Sequence, residues 1–374
     1  MTAGERGPGL VARPDQVSPA WLTEVLRRAG HIGEAVVTGL EAEAVGTGQM
    51  GDSVRFRLTY DRAEAGADAP SSVVIKFAAA DATSRGTGLA LRSYEIEVRF
   101  YQQVAPTVGI RTPRCDFADV DLVTGEFTLV LEDLAPATQG DQLAGCTLDQ
   151  AALALEELAE LHAPRWGDPT LAELEWLDRS TPEQVQMGEV LLPVLFAGFT
   201  ERYGDRLEPE HLAVSERLVP LLPRWLRGRP EPWAVQHGDY RLDNMLFGTG
   251  GAEGGAPLTV VDWQTVVHGP PLVDAAYFLG AGLLPEDRRA NEERLLREYH
   301  CALRAGGVEG YGWDRCWDDY RRFAYAGFIM AVGASMMVAQ TERGDEMFLT
   351  MARRHGTQIV DLDAEALLRL VEVR

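Results

Sequence analysis

Val235-Gln236-His237-Gly238-Asp239-Tyr240-Arg241-Leu242-Asp243-Asn244-Met245-Leu246-Phe247 sets two aspartates, an arginine and an asparagine between short apolar pieces. Asp239 and Asn244 stand five positions apart, with Arg241 between them. Beyond the glycine-rich interval 248–257, a second apolar piece, Thr259-Val260-Val261, ends on Asp262. That spacing reads as two strand-like segments joined by a hairpin tip or a disordered loop. Carboxylate and carboxamide oxygens are hard donors that suit Mg²⁺, and a carboxylate can also take a proton. Which residue takes which part stays open at this level.

Upstream of that loop, the chain uses one lysine, Lys76, against 34 arginines. It closes the apolar run Ser72-Val73-Val74-Ile75-Lys76-Phe77, and a compact ammonium kept there fits a phosphate site, where a point charge is wanted. Before it, Val54, Phe56, Leu58 and Tyr60 alternate with polar residues, the pattern of a half-buried strand. Val37 to Val45, interrupted by Gly39, precedes that strand, and Gly46-Thr47-Gly48-Gln49-Met50-Gly51 joins the two. A dinucleotide fingerprint would follow a strand and open a helix. Here the glycines connect two strands, so they read as a hairpin whose backbone amides cover phosphates.

Ser18-Pro19-Ala20-Trp21 writes a helix start ahead of Leu22, Val25 and Leu26, with Gly30 as its end. A further helix is expected from Leu89 to Val104, where Leu91, Tyr94, Val98 and Tyr101 share a face and Pro106 is the stop. Glu95 and Glu97 lie beside that face, and either could reach Lys76. Phe127 to Leu131 reads as a strand leading into Glu132-Asp133-Leu134. The second half reads as helical. Thr147 and Gln150 form a capping box before Ala151 to His162, and amphipathic stretches follow at 183–203, 211–226 and 287–305.

A chain of 374 residues with 46% hydrophobic and 25% charged content exceeds what one core holds, so two domains are expected, 1–133 and 134–374. Its net charge of −22 excludes nucleic acid and an anionic membrane as partners and is compatible with a cationic substrate. Residues 323–340 lack charge, yet alanine, glycine, serine and methionine dominate them, the composition of a buried helix and not of a span. With no leader visible at the start, a cytoplasmic location is expected. Cys115, Cys146, Cys301 and Cys316 are dispersed without CxxC spacing, which argues against a zinc site or a disulfide framework.

These motifs, in this order, resemble the aminoglycoside and choline kinase-like phosphotransferase superfamily, relatives of the protein kinases, in particular the branch with ecdysteroid kinase-like proteins and their bacterial counterparts. The resemblance is carried by Gly46 to Gly51, Val74-Ile75-Lys76, Glu97-Val98-Arg99-Phe100-Tyr101, Leu131-Glu132-Asp133-Leu134, Leu158 to Ala163, His237 to Asn244 and Val261-Asp262-Trp263-Gln264. It implies an α+β, protein kinase-like two-lobed fold: a small N-terminal antiparallel sheet lobe with helices and a larger, mainly helical C-terminal lobe. It further implies ATP with Mg²⁺ as cofactors. Gly46, Gly48, Gly51 and Lys76 would hold phosphates, with Glu97 orienting the lysine, and backbone near Glu132 to Leu134 would hold adenine. Asp239 would accept the proton, Arg241 would orient it or meet a phosphate, and Asn244 and Asp262 would ligate the metal. Asp274 resembles the aspartate that ties down the catalytic loop. His237 and His162 read as structural.

Only 11 residues separate Asp262 from Asp274, too few for the activation segment of a protein kinase. A small-molecule hydroxyl acceptor is therefore expected. A non-catalytic nucleotide-binding regulator is the alternative, and it would dispense with Asp239 or Asn244. Acidic residues at 184–189, at Asp314, Asp318 and Asp319, and at 336–346 suit an amine-bearing acceptor such as an aminoglycoside or another natural product, in a monomer or homodimer. Antibiotic resistance or secondary metabolism is the setting such a bacterial enzyme suggests.

Overall fold

The computed structural model describes residues 7–46, 51–61, 69–177, 181–249 and 256–371. Two compact units result, one of residues 1–106 with 112–135 and one of residues 107–111 with 136–374. The architecture is α+β, with a small antiparallel sheet in the first unit and a mostly helical second unit.

The first unit begins with α1 (Pro19–Arg28), whose Ser18 hydroxyl accepts from the Trp21 amide behind Pro19 in the first turn, as the cap signal predicts. Five strands follow: β1 (Val37–Val45), β2 (Gly51–Tyr60), β3 (Ser72–Ala78), β4 (Cys115–Val120) and β5 (Phe127–Glu132), in the order β1-β2-β3-β5-β4. All neighbours are antiparallel, and the β1–β2 ladder shifts register beside Gly39, where the sequence pattern is interrupted. Alternation along β3 buries Val73, Ile75 and Phe77 with Leu22, Val25 and Leu26 of α1. Period-2 geometry puts Lys76 on the opposite face. β5 is buried on both faces from Phe127 to Leu131, because helices cover each side of the sheet.

The helix expected over 89–104 is instead two helices, α2 (Ala82–Ala90) and α3 (Ser93–Arg99), followed by a π-turn, Phe100–Val104. Arg92 breaks them with a left-handed φ of 58°. Leu91 is consequently exposed, while Tyr94, Val98 and Tyr101 are buried as the periodicity predicts. A Cβ on Gly88 would come within 2.6 Å of the Tyr94 ring, so α2 reaches α3 through a glycine. β4 carries no strand signal that the sequence reading used.

In the second unit, β6 (Thr138–Gln139) precedes α4 (Leu148–His162), which opens with the expected Thr147–Gln150 capping box. Its buried face is Ala151, Leu155, Leu158, Ala159, Leu161 and His162. Then come α5 (Pro182–Tyr203), α6 (Pro209–Leu218) and α7 (Leu222–Arg227), with a 3-10 turn at Val219–Leu221 dividing the stretch 211–226 that reads in sequence as one. Strands β7 (Ala234–Gln236), β8 (Met245–Phe247), β9 (Leu258–Val260) and β10 (Val267–Gly269) follow. β8 pairs antiparallel with β9, so the glycine-rich interval joins two hairpin strands; its residues 250–255 lie outside those described.

The unit closes with α8 (Leu272–Gly282), α9 (Pro285–Ala305), α10 (Trp313–Arg322), α11 (Tyr325–Met337), α12 (Glu342–Asp361) and α13 (Ala364–Arg369). The uncharged segment 323–340 becomes α11, a helix of 13 residues packed on α5, α8 and α12. Among the described residues no helix is long and apolar enough to cross a membrane. The four cysteines are free thiols, and burial pushes the Cys115 and Cys146 thiols up to about 12.

Candidate functional site

Lys76 emerges from β3 on the face toward α3, and its Nζ donates to both Glu97 carboxylate oxygens at 2.7 and 2.8 Å. Glu97 is 1% exposed. Glu95 is directed elsewhere and accepts from Arg92 at 2.9 Å. A buried pair of this kind adds little net stability, since desolvation offsets the attraction, but it holds the ammonium in one place. Gly46 and Gly51 flank the glycine-rich interval, Gly46 with φ of 79°; Gly48 lies outside the described residues.

At the end of β5, Glu132 gives its N–H to the Arg114 carbonyl, and its Oε2 accepts from the Arg114 N–H. The chain then turns at Asp133, whose carboxylate takes Arg55 Nε at 2.6 Å and Ser72 Oγ at 2.7 Å. These contacts brace the backbone through Leu134. Burial works to raise the Asp133 carboxyl, but hydrogen bonds from Arg55 and Ser72 outweigh it and hold the group below its usual value. Asp133 carries a structural part that the sequence reading left unassigned.

The loop of the second unit is built on β7. Gly238 has φ of 81°, and a Cβ there would lie 2.5 Å from the Thr265 carbonyl, so only glycine fits the turn. His237 is buried. Its Nε2 contacts the Val261 carbonyl at 3.0 Å, and its Nδ1 accepts from the Asp239 amide at 3.3 Å. Asp274, fully buried on α8, accepts from the His237 amide at 2.7 Å and the Gly238 amide at 3.0 Å. His162 Nε2 approaches Asp274 at 3.5 Å and its Nδ1 meets the Tyr299 hydroxyl at 2.7 Å, so it is a core residue behind the loop.

Asp239 receives three partners. Arg241 Nε lies 3.1 and 3.0 Å from its two oxygens, Asn244 Nδ2 donates to Oδ2 at 2.9 Å, and the Tyr277 hydroxyl donates to Oδ1 at 2.6 Å. Arg241 Nη1 also reaches Asp243 Oδ2 at 2.6 Å and Met347 Sδ at 3.2 Å. Burial works to lower the Arg241 guanidinium, yet the Asp239 charge foremost carries it above the ordinary arginine value. It is a permanent cation. Gln142 seats the loop by accepting from the Leu242 amide and giving its own amide to Asp243 Oδ1, both at 3.0 Å.

Asn244 and Asp262 are brought together by the β8–β9 hairpin: Met245 pairs with Val260, and the Val261 amide donates to the Asn244 carbonyl at 3.0 Å. Asp262 has φ of 68°, in the left-handed region that few residues other than glycine, asparagine and aspartate adopt. Its Oδ2 accepts from Gln264 Nε2 at 3.2 Å. Because Asn244 spends its NH₂ on Asp239, its side-chain oxygen is the atom suited to a hard cation. One carboxylate and one carboxamide at the same hairpin end form a donor set that fits Mg²⁺.

Tyr277 and Gln142 escaped the sequence reading. A signal for Tyr277 existed, since it stands three residues after Asp274 and shares its helix face. The acidic cluster proposed for an acceptor is largely engaged: Asp319 accepts from Tyr311 at 3.0 Å and Arg315 at 2.7 Å, and Asp318 lies 3.5 Å from Arg321.

The model of a phosphotransferase enzyme family, APH, matches residues 50–323. Among solved structures, choline kinase from Cryptosporidium parvum Iowa II is similar with a TM-score of 0.51 and 9% identity, over 89% of this chain and 91% of that one. The GDP complex of a mutant aminoglycoside 2'-phosphotransferase-IIIa is similar with a TM-score of 0.50 and 13% identity, over 92% and 96%. Both likenesses are of fold. A mouse protein, acyl-CoA dehydrogenase family member 10, is 38% identical over 78 residues, 21% of this chain and 7% of that protein's length.

Proposed function

The chain belongs to the phosphotransferase enzyme family, matched from residue 50 to 323, and on that premise we propose how its residues carry the reaction. It is a small-molecule kinase, with ATP and Mg²⁺ as cofactors and an alcohol as acceptor. The observation that carries the assignment of roles is the arrangement around Asp239: a carboxylate fixed by Arg241, Asn244 and Tyr277, on a loop pinned by Asp274.

Lys76, steadied by Glu97, supplies the charge for the α- and β-phosphates, and backbone amides of Gly46 and Gly51, at the two ends of the glycine-rich interval, would cover them. The backbone at Glu132 to Leu134 meets the adenine, with Leu134 the residue assigned to that contact. Asn244 and Asp262 would hold Mg²⁺, which when bound neutralises charge on the transferring phosphoryl group. Asp239 accepts the proton of the acceptor hydroxyl as its oxygen attacks the γ-phosphorus and the bond to the bridging oxygen breaks. Arg241 keeps Asp239 oriented. Positioning and electrostatics do most of the work in such a transfer.

A protein-kinase reading is disfavoured by the path from Asp262 to Asp274, which is taken up by a 3-10 turn, β10 and the first turn of α8. With Asp318 and Asp319 engaged in ion pairs, an amine-bearing acceptor such as an aminoglycoside or another antibiotic rests mainly on the net charge of −22. The test is a coupled nucleotide-consumption assay with Mg·ATP against aminoglycosides, other antibiotics, choline, ethanolamine, amino sugars and steroid alcohols. Asp239→Asn is expected to lower acceptor-dependent turnover by about 10²–10⁴-fold with nucleotide affinity nearly unchanged. Near-normal turnover in that variant refutes the assignment of the base, whereas Mg·ATP binding without turnover on any acceptor favours the regulator reading.

A further inference from the structure

We propose that Tyr277 is a positioning residue for the transfer reaction: its hydroxyl fixes the rotation of the Asp239 carboxylate against the incoming alcohol, an inference that rests on Asp239 being the base. The terminal torsion of an aspartate is soft and roughly two-fold, so a carboxylate held at one point still turns. Arg241 Nε stands almost equally far from both oxygens, 3.1 and 3.0 Å, and so does not distinguish them. The other two donors do. Asn244 takes Oδ2 and Tyr277 takes Oδ1, which defines the plane of the group.

Asn244 is also an assigned metal ligand and sits on the same short loop as Asp239, so it moves with it. Tyr277 comes from α8, an independent rigid element, and its side chain is 2% exposed with its ring 5.6 Å from that of His355. One turn earlier on the same helix, Asp274 holds the backbone of His237 and Gly238. A single helix face thus anchors both the main chain of the loop and the side chain of its base. Burial first, and then the Asp239 charge, keeps the phenol protonated well above its ordinary range, so it remains a donor. During transfer the alcohol's proton goes to Asp239, the new O–P bond forms as the bridging P–O bond breaks, and Tyr277 keeps its own proton throughout.

The alternative is a core tyrosine that merely satisfies its hydroxyl on a nearby oxygen. Tyr277→Phe in the full chain, alone and combined with Asp239→Asn, separates the two. Mg·ATP consumption is measured with an acceptor from the panel, and with water as acceptor if none is found. Loss of one donor to a charged group is expected to reduce kcat about 5- to 20-fold, with KM for ATP within about twofold. In the Asp239→Asn background the same change is expected to have no further effect. A kcat within twofold of the parent, or an equal loss in both backgrounds, overturns the proposal. Full turnover in Asp239→Asn alone instead overturns the base assignment, a different failure. A crystal structure of Tyr277→Phe gives a readout independent of turnover: Asp239 is expected to rotate or split into two conformers, and an unmoved carboxylate overturns the proposal. Should the Phe variant fold poorly, 3-fluorotyrosine at position 277 keeps the donor and is expected to retain turnover within about twofold; a loss as large as that expected of Phe overturns it.

Discussion

Replacing Asp274 by asparagine tests whether α8 sets the geometry of the loop. Both oxygens of this fully buried carboxylate are in use, Oδ2 by the His237 amide at 2.7 Å and Oδ1 by the Gly238 amide at 3.0 Å. Asparagine keeps the shape but presents an NH₂ group to one of those N–H donors. One charge-assisted hydrogen bond is lost, about 1.5–3 kcal/mol, and a buried donor is left unsatisfied, about 1–3 kcal/mol more. The sum is a destabilisation of about 2.5–6 kcal/mol, or about 5–24 °C in Tm for a unit of this size. Because the loop carries Asp239 directly after Gly238, a shift near 1 Å is expected to reduce kcat about 10²-fold. Urea unfolding of parent and variant, followed by kcat on folded protein, measures both. A loss under about 1 kcal/mol together with unchanged kcat would show that the loop is held by other contacts.

Removing Lys76 should separate stability from chemistry. Lys76→Met takes the ammonium away from the buried Glu97 carboxylate and is expected to cost about 3–5 kcal/mol, whereas adding Glu97→Leu should restore most of the stability while turnover stays about 10²-fold down; recovery of turnover in the double variant contradicts the phosphate role. The pH response of stability should carry the signature of His355, which full burial pulls down to about 3. Unfolded histidine takes up its proton near 6.5, so the neutral buried ring contributes stability that is fully present above that value and declines as pH falls toward 3. The decline is up to about 1.4 kcal/mol per pH unit, and His355→Gln should flatten the slope of unfolding free energy between pH 6 and 4 by one proton; an unchanged slope excludes it.

Much of this site is legible in the sequence because it is written in short-range patterns. Alternation along Val73, Ile75 and Phe77 puts Lys76 on the other face of its strand without any knowledge of the partner. Ser18 and the Thr147–Gln150 box mark helix starts through hydrogen bonds that span three residues. The order of Asp239, Arg241, Asn244 and Asp262 points to phosphoryl transfer because a loop and a hairpin bring those groups together locally.

Partner choice across long separations was decided only by packing. Spacing alone left both Glu95 and Glu97 within reach of Lys76 and the resemblance implied Glu97; in the structure α3 gives Glu97 to Lys76 while Arg92 takes Glu95. The break at Arg92 follows from the same docking: Tyr94 stacks on Phe127 at 4.6 Å, and a helix running straight on from Leu89 lacks the turn that seats it. Gly86 and Gly88 disfavour helix intrinsically, which conceals α2 from propensity. Tyr277 meets Asp239 from 38 residues away, and Met347 meets Arg241 from 106. Residues within one or two turns of each other constrain each other through the backbone and leave a trace in the sequence. Residues on different elements are joined only once whole hydrophobic faces have been buried, and that decision is taken by the tertiary fold.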